Sequence, residues 1–437
     1  MKKHFYSLSI AAGLVLIICS PIFGQSDQLE KAIKAGDVAE LKALLASGAD
    51  PNAKNANGDP IVGTASIWPE LLRPFIEAGA NINEPGKSKY PPLLSAVTMS
   101  SAESVRMLIE AGADVNYTQP STGMSILHFA TWRSNCAECV DLLIKAGADV
   151  NSKDKNGETP ATVMITANTP QERVETVHFT VNMMKSIGYD NLPDRFTNPK
   201  VTDWDSPSAI MGLLINADLD PNIKNKQGVN ALMNAAYYNK VDLVEKLVQS
   251  GAKLKDKDKS GKTVLNYAID GGAGDVLVYM IDNKLIKVDE TFEWHDSKLM
   301  IDMKGMTALS VACVNGNADS IKKLLELGAD CNSTSSGTFF SGGCLGVVKN
   351  KTPFVYAIES GKLDNVKMIV ENCEKAKLWN VDWPKFEIKP TTVAKFTGCY
   401  AKGTPVRPWN YAEELGYADI AEYLREAFDK FTLGKSY

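Results

Sequence analysis

The sequence predicts an all-α fold: a solenoid of stacked helix-turn-helix units with projecting loops and several long insertions. Three observations predict it. The string "GADVNSKDKNGETP", Gly147 to Pro160, recurs in altered form from Gly48, Gly79, Asp218 and Gly251. In the regular stretches, as from Gly79 to Gly112, the copies are spaced at about 33 residues. Between copies lie two short apolar segments, the first rich in small residues, as at Ala130, Ala235, Ala236 and Ala312, the second with paired leucines such as Leu142 and Leu143 or Leu324 and Leu325. In such an array each unit touches only its neighbours, so a chain of 437 residues can be one long stack instead of several globular domains.

At the N-terminus, "MKKHFYSLSIAAGLVLIICSPIFGQ" has a basic start at Lys2 and Lys3, an apolar run from Leu8 to Ile18, and Ser20, Pro21 and Gly24 before Gln25. It reads as a secretory signal peptide over 1–24, cleaved after Gly24, because the run is shorter than the roughly 20 residues that span a bilayer. Cys19 raises a lipoprotein alternative, against which Ile18 stands where a small residue is usual. The mature chain is expected in the periplasm or secreted, with no membrane span. With 44% hydrophobic and 23% charged residues the composition is that of a folded protein. The net charge of −5 leaves no basic stripe for a phosphate backbone, so nucleic acid is not an expected partner.

Each unit has local causes. Thr159 or Thr352 can cap the first helix, and Pro160 or Pro353 suits its first position because the N–H that proline lacks has no intrahelical partner there. Gly112, Gly147, Gly251 and Gly328 end the second helix, where a left-handed backbone costs glycine nothing. Asp149 and Asn151 then open a loop toward the next unit. The copies "GMSILHFATWRS" from Gly123, "QGVNALMNAAYYNKVDLVEKLVQSGA" from Gln227 and "KGMTALSVACVNGNADSIKKLLELGAD" from Lys304 carry the full pattern. It resembles the ankyrin repeat, here over about Gln28 to Ala427 as roughly ten or eleven units.

The expected organisation is 25–160 as N-terminal repeats, 161–208 as a degenerate repeat or hinge, 209–430 as C-terminal repeats with inserted loops, and 431–437 as a tail. The insertions fall near Ile286 to Met303, Ser333 to Lys349 and Glu374 to Thr404, and read as irregular loops. Cys331 with Cys344 and Cys373 with Cys399 bracket two of them and are expected as disulfides. Cys136 and Cys139, in "CAEC", invite a redox or zinc reading. Zinc would need two further ligands, and such redox motifs belong at a helix start after a strand, so a local disulfide or two unconnected thiols is preferred. Cys313, in "LSVACV", is expected as a buried thiol.

Catalytic signals are weak. His128 stands in "SILH", where the resemblance implies a hydrogen-bonded structural residue; His178 and His295 have no companion at ligand spacing. "SGKT", Ser260 to Thr263, lacks the upstream glycine of a phosphate loop and is in register with the repeat turns. No cofactor, metal or enzymatic activity is expected. The rival is an enzyme sited on the loops from Ile286 to Thr404, where Trp294, His295, Asp296, Trp379 and Trp383 gather. The resemblance implies a monomeric scaffold that binds a protein through its concave face, and toxin-neutralising or host-directed binding falls in the same class. Aromatic and arginine side chains make good anchors, so Trp68, Trp132, Arg133, Tyr237 and Tyr238 are the candidate partner-binding residues.

Overall fold

A computed structural model of the chain describes residues 24–133, 136–166, 185, 207–296, 301–315, 318–341, 344–373, 386–389 and 407–433. The leader up to residue 23 lies outside them. The chain separates into two compact units, Met1–Ala231 and Leu232–Tyr437.

Unit 1 holds helix α1 (24–35), α2 (Val38–Ala46), α3 (Ile61–Ala65), α4 (Pro69–Glu77), α5 (Pro92–Thr98), α6 (Ala102–Glu110), α7 (Ile126–Arg133), α8 (Ala137–Lys145), α9 (Pro160–Thr166) and α10 (Pro207–Asn216). Local chemistry starts and stops them. Asp37 caps α2, its Oδ1 accepting from the Glu40 N–H at 2.9 Å. Proline opens α4, α5 and α9, as expected for Pro160. At the other end Gly112 and Gly147 take φ of +89° and +91°, the left-handed turn that closes α6 and α8. The first helices α3, α5, α7 and α9 pack in series, and so do the second helices α2, α4, α6, α8 and α10. Ala65, Ala96, Ala130 and Ala161 are fully buried, so the first helices approach closely. Leu72, Phe75, Leu108, Leu143 and Leu214 fill the second layer at 0% exposure, each burial contributing about 1.5–3 kcal/mol.

The recurring Asp-x-Asn is explained by two sets of hydrogen bonds. Asp114, Asp149 and Asp220 each accept from the N–H two residues on, tightening their own turn. Each asparagine then reaches the next repeat. Asn83 accepts from Asp114 N–H at 2.8 Å and donates to Gly112 O at 3.1 Å. Asn116 does the same with Asp149 and Gly147, and Asn151 with Asp220 and Asp218. That last step crosses more than sixty residues without losing register. It shows that α9 and α10 are the two helices of one repeat, which also pack on each other. Residues 161–166 and 207–208, expected within a degenerate repeat or hinge, therefore belong to this repeat. The intervening residues, Lys185 apart, lie outside the described ones, and the chain divides into its compact units at Ala231.

Unit 2 holds α11 (Ala231–Tyr237, starting at the boundary), α12 (Val241–Gln249), α13 (Val264–Asp270), α14 (Gly274–Asp282), β1 (Phe292–Asp296), β2 (Ile301–Met306), α15 (Ala308–Asn315), α16 (Ala318–Glu326), β3 (Ser335–Ser341), β4 (Cys344–Lys351), α17 (Pro353–Glu359), α18 (Leu363–Asn372), β5 (Phe386–Lys389), α19 (Pro408–Glu414) and α20 (Ala418–Leu433). Second helices α12, α14, α16, α18 and α20 stack in series, as do first helices α15, α17 and α19.

The insertions read as irregular loops contain strands. β1 to β5 form one antiparallel sheet in chain order, with Trp294 opposite Met303, Met303 opposite Gly337, and Gly346 opposite Ile388. β1 with β2, and β3 with β4, are hairpins grown from the loops between successive repeats. Two strands spaced at about 4.8 Å match the roughly 10 Å between packed helices, so neighbouring hairpins meet at pairing distance. Sequence reading missed this because each hairpin is completed by a strand from another repeat.

The disulfide expectation is corrected as well. Cys331 is joined to Cys373, 42 residues away, and not to Cys344. Residue 344 begins β4, opposite Ser341, whereas Cys331 lies in the turn after α16 and Cys373 ends α18, two helices in contact. Pairing follows helix stacking instead of loop bracketing. Cys399 lies outside the described residues. Cys136 and Cys139 form a local disulfide, and Cys313 is a buried free thiol whose pKa burial pushes well up.

Candidate protein-binding surface

The five candidate anchors fare differently. Trp68 is only 5% exposed and is corrected: it precedes Pro69 at the start of α4, in extended backbone, with its ring in the core. A tryptophan in the turn between two stacked helices is covered by its own repeat. Trp132 is half-buried near the end of α7 and meets Phe129 edge to face, ring centroids 6.3 Å apart. Phe129 meets Tyr90 in turn at 6.2 Å. Tyr90, 37% exposed, sits just before the Pro91-Pro92 pair that opens α5, so an aromatic row runs from a loop to a first helix within unit 1. Tyr90 was not singled out from sequence; its position ahead of a first helix was the available signal. The side chain of Arg133 lies outside what is described.

Tyr237 and Tyr238 in unit 2 are exposed as expected, at 42% and 44%, with rings perpendicular and 5.1 Å apart. Their backbone is held from the following repeat. Asn239, at φ +53°, accepts from Val276 N–H at 3.1 Å and donates to Asp275 Oδ2 at 2.8 Å. A Cβ added to Gly271 would stand 1.9 Å from Tyr237 O, so this first-helix end fits only glycine. The two rings therefore project from an anchored backbone.

Other residues of the same face are already engaged. Asp270 pairs with Lys262 at 2.7 Å, and Glu359 with Lys351 and with the Tyr411 hydroxyl, the last at 2.8 Å. His128 is fully buried. Its Nδ1 accepts from Ser125 N–H at 3.1 Å, which leaves the proton on Nε2 to be donated to Glu158 O at 2.9 Å. Burial holds its pKa below the ordinary histidine range against that hydrogen bond and nearby carboxylates. "SGKT" is a turn in which Asp258 accepts from the Ser260 and Lys262 N–H groups. Trp294, His295 and Asp296 lie along β1, while Trp379 and Trp383 lie outside the described residues. Among the described residues no group of three or more metal-ligating side chains could share an ion, and no helix is long and apolar enough to cross a membrane.

The family description "Ankyrin repeats (3 copies)" matches residues 29–119, 65–154, 205–292 and 292–382, together well over half of the chain. The chain belongs to the ankyrin-repeat family. It is 32% identical over 151 residues to an ankyrin repeat protein of Rickettsia bellii, covering 34% of this chain and 71% of that one. Against the ankyrin repeat and KH domain-containing protein of Caenorhabditis briggsae it is 27% identical over 234 residues, 52% of this chain and 8% of the relative. The corresponding protein mask-1 of Caenorhabditis elegans is 26% identical over 286 residues, 63% of this chain and 10% of the relative. The chain thus spans a tenth or less of the length of these nematode relatives. The solved ankyrin repeat domain of Bcl-3 is 21% identical with a TM-score of 0.42, covering 55% of this chain and 93% of that domain. Ankyrin repeats generally mediate protein–protein interaction, and no enzyme family is indicated.

Proposed function

We propose that this ankyrin-repeat protein is an exported, non-catalytic scaffold that holds a partner protein through its first helices and the loops beside them. The observation that carries the reading is the Tyr237–Tyr238 pair: large aromatic side chains left exposed on a backbone fixed by Asn239 and Gly271. Such residues bury much area on binding at little entropic cost, which is why they are enriched among binding hot spots. The Tyr90–Phe129–Trp132 row offers a second aromatic strip. Export is supported by the string from Met1 to Gln25 and by the two disulfides, which persist in oxidising compartments.

The test is capture from envelope and culture fractions by the parent and by a Tyr237→Ala/Tyr238→Ala variant with an unchanged helical spectrum. A partner held by the parent should bind the variant at least tenfold more weakly, as for loss of one hot spot of about 2 kcal/mol. Equal capture by both would place the interface elsewhere. Sequencing the N-terminus of the envelope protein tests the leader; an intact Met1 would remove export from the proposal.

A further inference from the structure

Neighbouring repeats of unit 1 make the same inter-helix turn with different chemistry. One reads Ser101-Ala102-Glu103-Ser104, the next Cys136-Ala137-Glu138-Cys139. Both N-cap residues have nearly the same backbone, with ψ of 84° and 85°. In the first the Ser101 hydroxyl donates to Ser104 Oγ at 2.9 Å; in the second a disulfide joins the pair. A pair of hydroxyls therefore suffices to hold this turn. A bridge across a sequence separation of three also constrains the unfolded chain far less than Cys331–Cys373, which spans 42. What cysteine adds here is exchangeable sulfur.

The two sulfurs are unequal. Cys139 is fully buried, while Cys136 is half-buried at the N-cap of the nine-residue helix α8. The Cys139 backbone N–H points at Cys136 Sγ, 3.0 Å away. That N–H and the helix N-terminus face the Cys136 sulfur, the kind of surroundings in which exchanging cysteines are found. Glu138, whose charge would oppose a thiolate there, is paired with Arg106 at 2.6 Å. Cys313, by contrast, is a sealed and inert thiol.

We propose that Cys136–Cys139 is a thiol–disulfide exchange site for accessible dithiols, with Cys136 the exchanging sulfur and Cys139 the resolving one. A thiolate of the dithiol attacks Cys136 Sγ; the Cys136–Cys139 bond breaks and Cys139 leaves as a thiolate that takes up a proton. The second thiolate of the dithiol then attacks the dithiol's first sulfur in the mixed disulfide, the bond to Cys136 breaks, and Cys136 leaves as a thiolate that takes up a proton. The dithiol is oxidised by two electrons to a disulfide, and the protein is reduced to two thiols. Oxidised glutathione restores the bridge by the reverse sequence.

The experiment uses the full chain, with glutathione and dithiothreitol as probes, alkylation and mass mapping of each cysteine. In the parent, dithiothreitol should open Cys136–Cys139 at least tenfold faster than Cys331–Cys373. Cys139→Ser should collect glutathione on Cys136, and Cys136→Ser should collect at least tenfold less on Cys139. The double variant Cys136→Ser/Cys139→Ser, which writes the Ser101/Ser104 pair into this turn, should keep the parent's helical spectrum and melting temperature. Equal reduction rates of the two bridges in the parent, absence of the Cys136 adduct, or unfolding of the double variant would each overturn the proposal.

Discussion

Units 1 and 2 stack helices in the same way and tie their loops together differently. In unit 1 the loops between successive repeats are short, and asparagines bridge them: Asn83, Asn116 and Asn151 each hold two backbone groups of the next repeat. In unit 2 Asp289 makes one such bond, to Asp330 N–H at 2.9 Å, and the lengthened loops pair as β1 to β5. A second link varies in parallel. His128 donates to Glu158 O in unit 1, whereas in unit 2 the residue at the same place, Asn266, donates to Glu293 O at 3.1 Å. The lesson is that helix spacing is the fixed quantity. Side chains span it where loops are short; paired backbone spans it where they are long.

Two changes in unit 2, one at a backbone contact and one at the long disulfide, should give the largest effects. Gly271→Ala forces a Cβ onto Tyr237 O and should cost about 3 kcal/mol, the upper end of overpacking, in denaturant unfolding. At the matching end of α3 unit 1 has Ser66, whose hydroxyl donates to Gly63 O at 2.6 Å and lies 3.0 Å from Pro92 O, so Ser66→Ala should cost nearer 1 kcal/mol. Cys331→Ser removes the long bridge of unit 2 and should cost about 2–4 kcal/mol, read as a lower urea midpoint. A midpoint equal to the parent's would mean that the sheet alone secures that unit.

Next comes the asparagine ladder. Asn116→Ala loses both of its bonds and should destabilise unit 1 by about 1–2 kcal/mol. Asp289→Ala, with its loop paired in the sheet, should cost no more than about 1 kcal/mol. Equal costs would erase the distinction between side-chain and strand ties.

The smallest effect is that of pH. Because the folded His128 has a depressed pKa, the unfolded chain binds the extra proton first, and its contribution to stability is lost as pH falls below about 6.5. The loss cannot exceed about 1.4 kcal/mol per pH unit for one group. His128→Asn, which copies the Asn266 link, should flatten that dependence; a slope equal to the parent's would assign the acid sensitivity elsewhere.

Much of this was legible in sequence because its causes are local. A proline at a helix start, a glycine after a helix end and Asp-x-Asn in a turn act through bonds a few residues long, so Pro160, Gly112 and Asp149 are where their types require. His128 was legible for the same reason, through its bonds to Ser125 three residues earlier. Within the candidate surface, Tyr237 and Tyr238 were legible as exposed positions, while Trp68 was not, because whether a ring meets water depends on the helices stacked beside it.

The sequence by itself determined the repeat, the helix pairs and the turn chemistry, since each repeat contains most of its own instructions. Only the tertiary structure decided that Cys331 pairs with Cys373, that three insertions form one sheet, and that α9 and α10 make a single repeat across the forty residues between them. Each of those outcomes joins segments from different repeats or distant parts of one. What brings them together is the spacing at which helices stack, and a sequence read one residue at a time does not contain that distance.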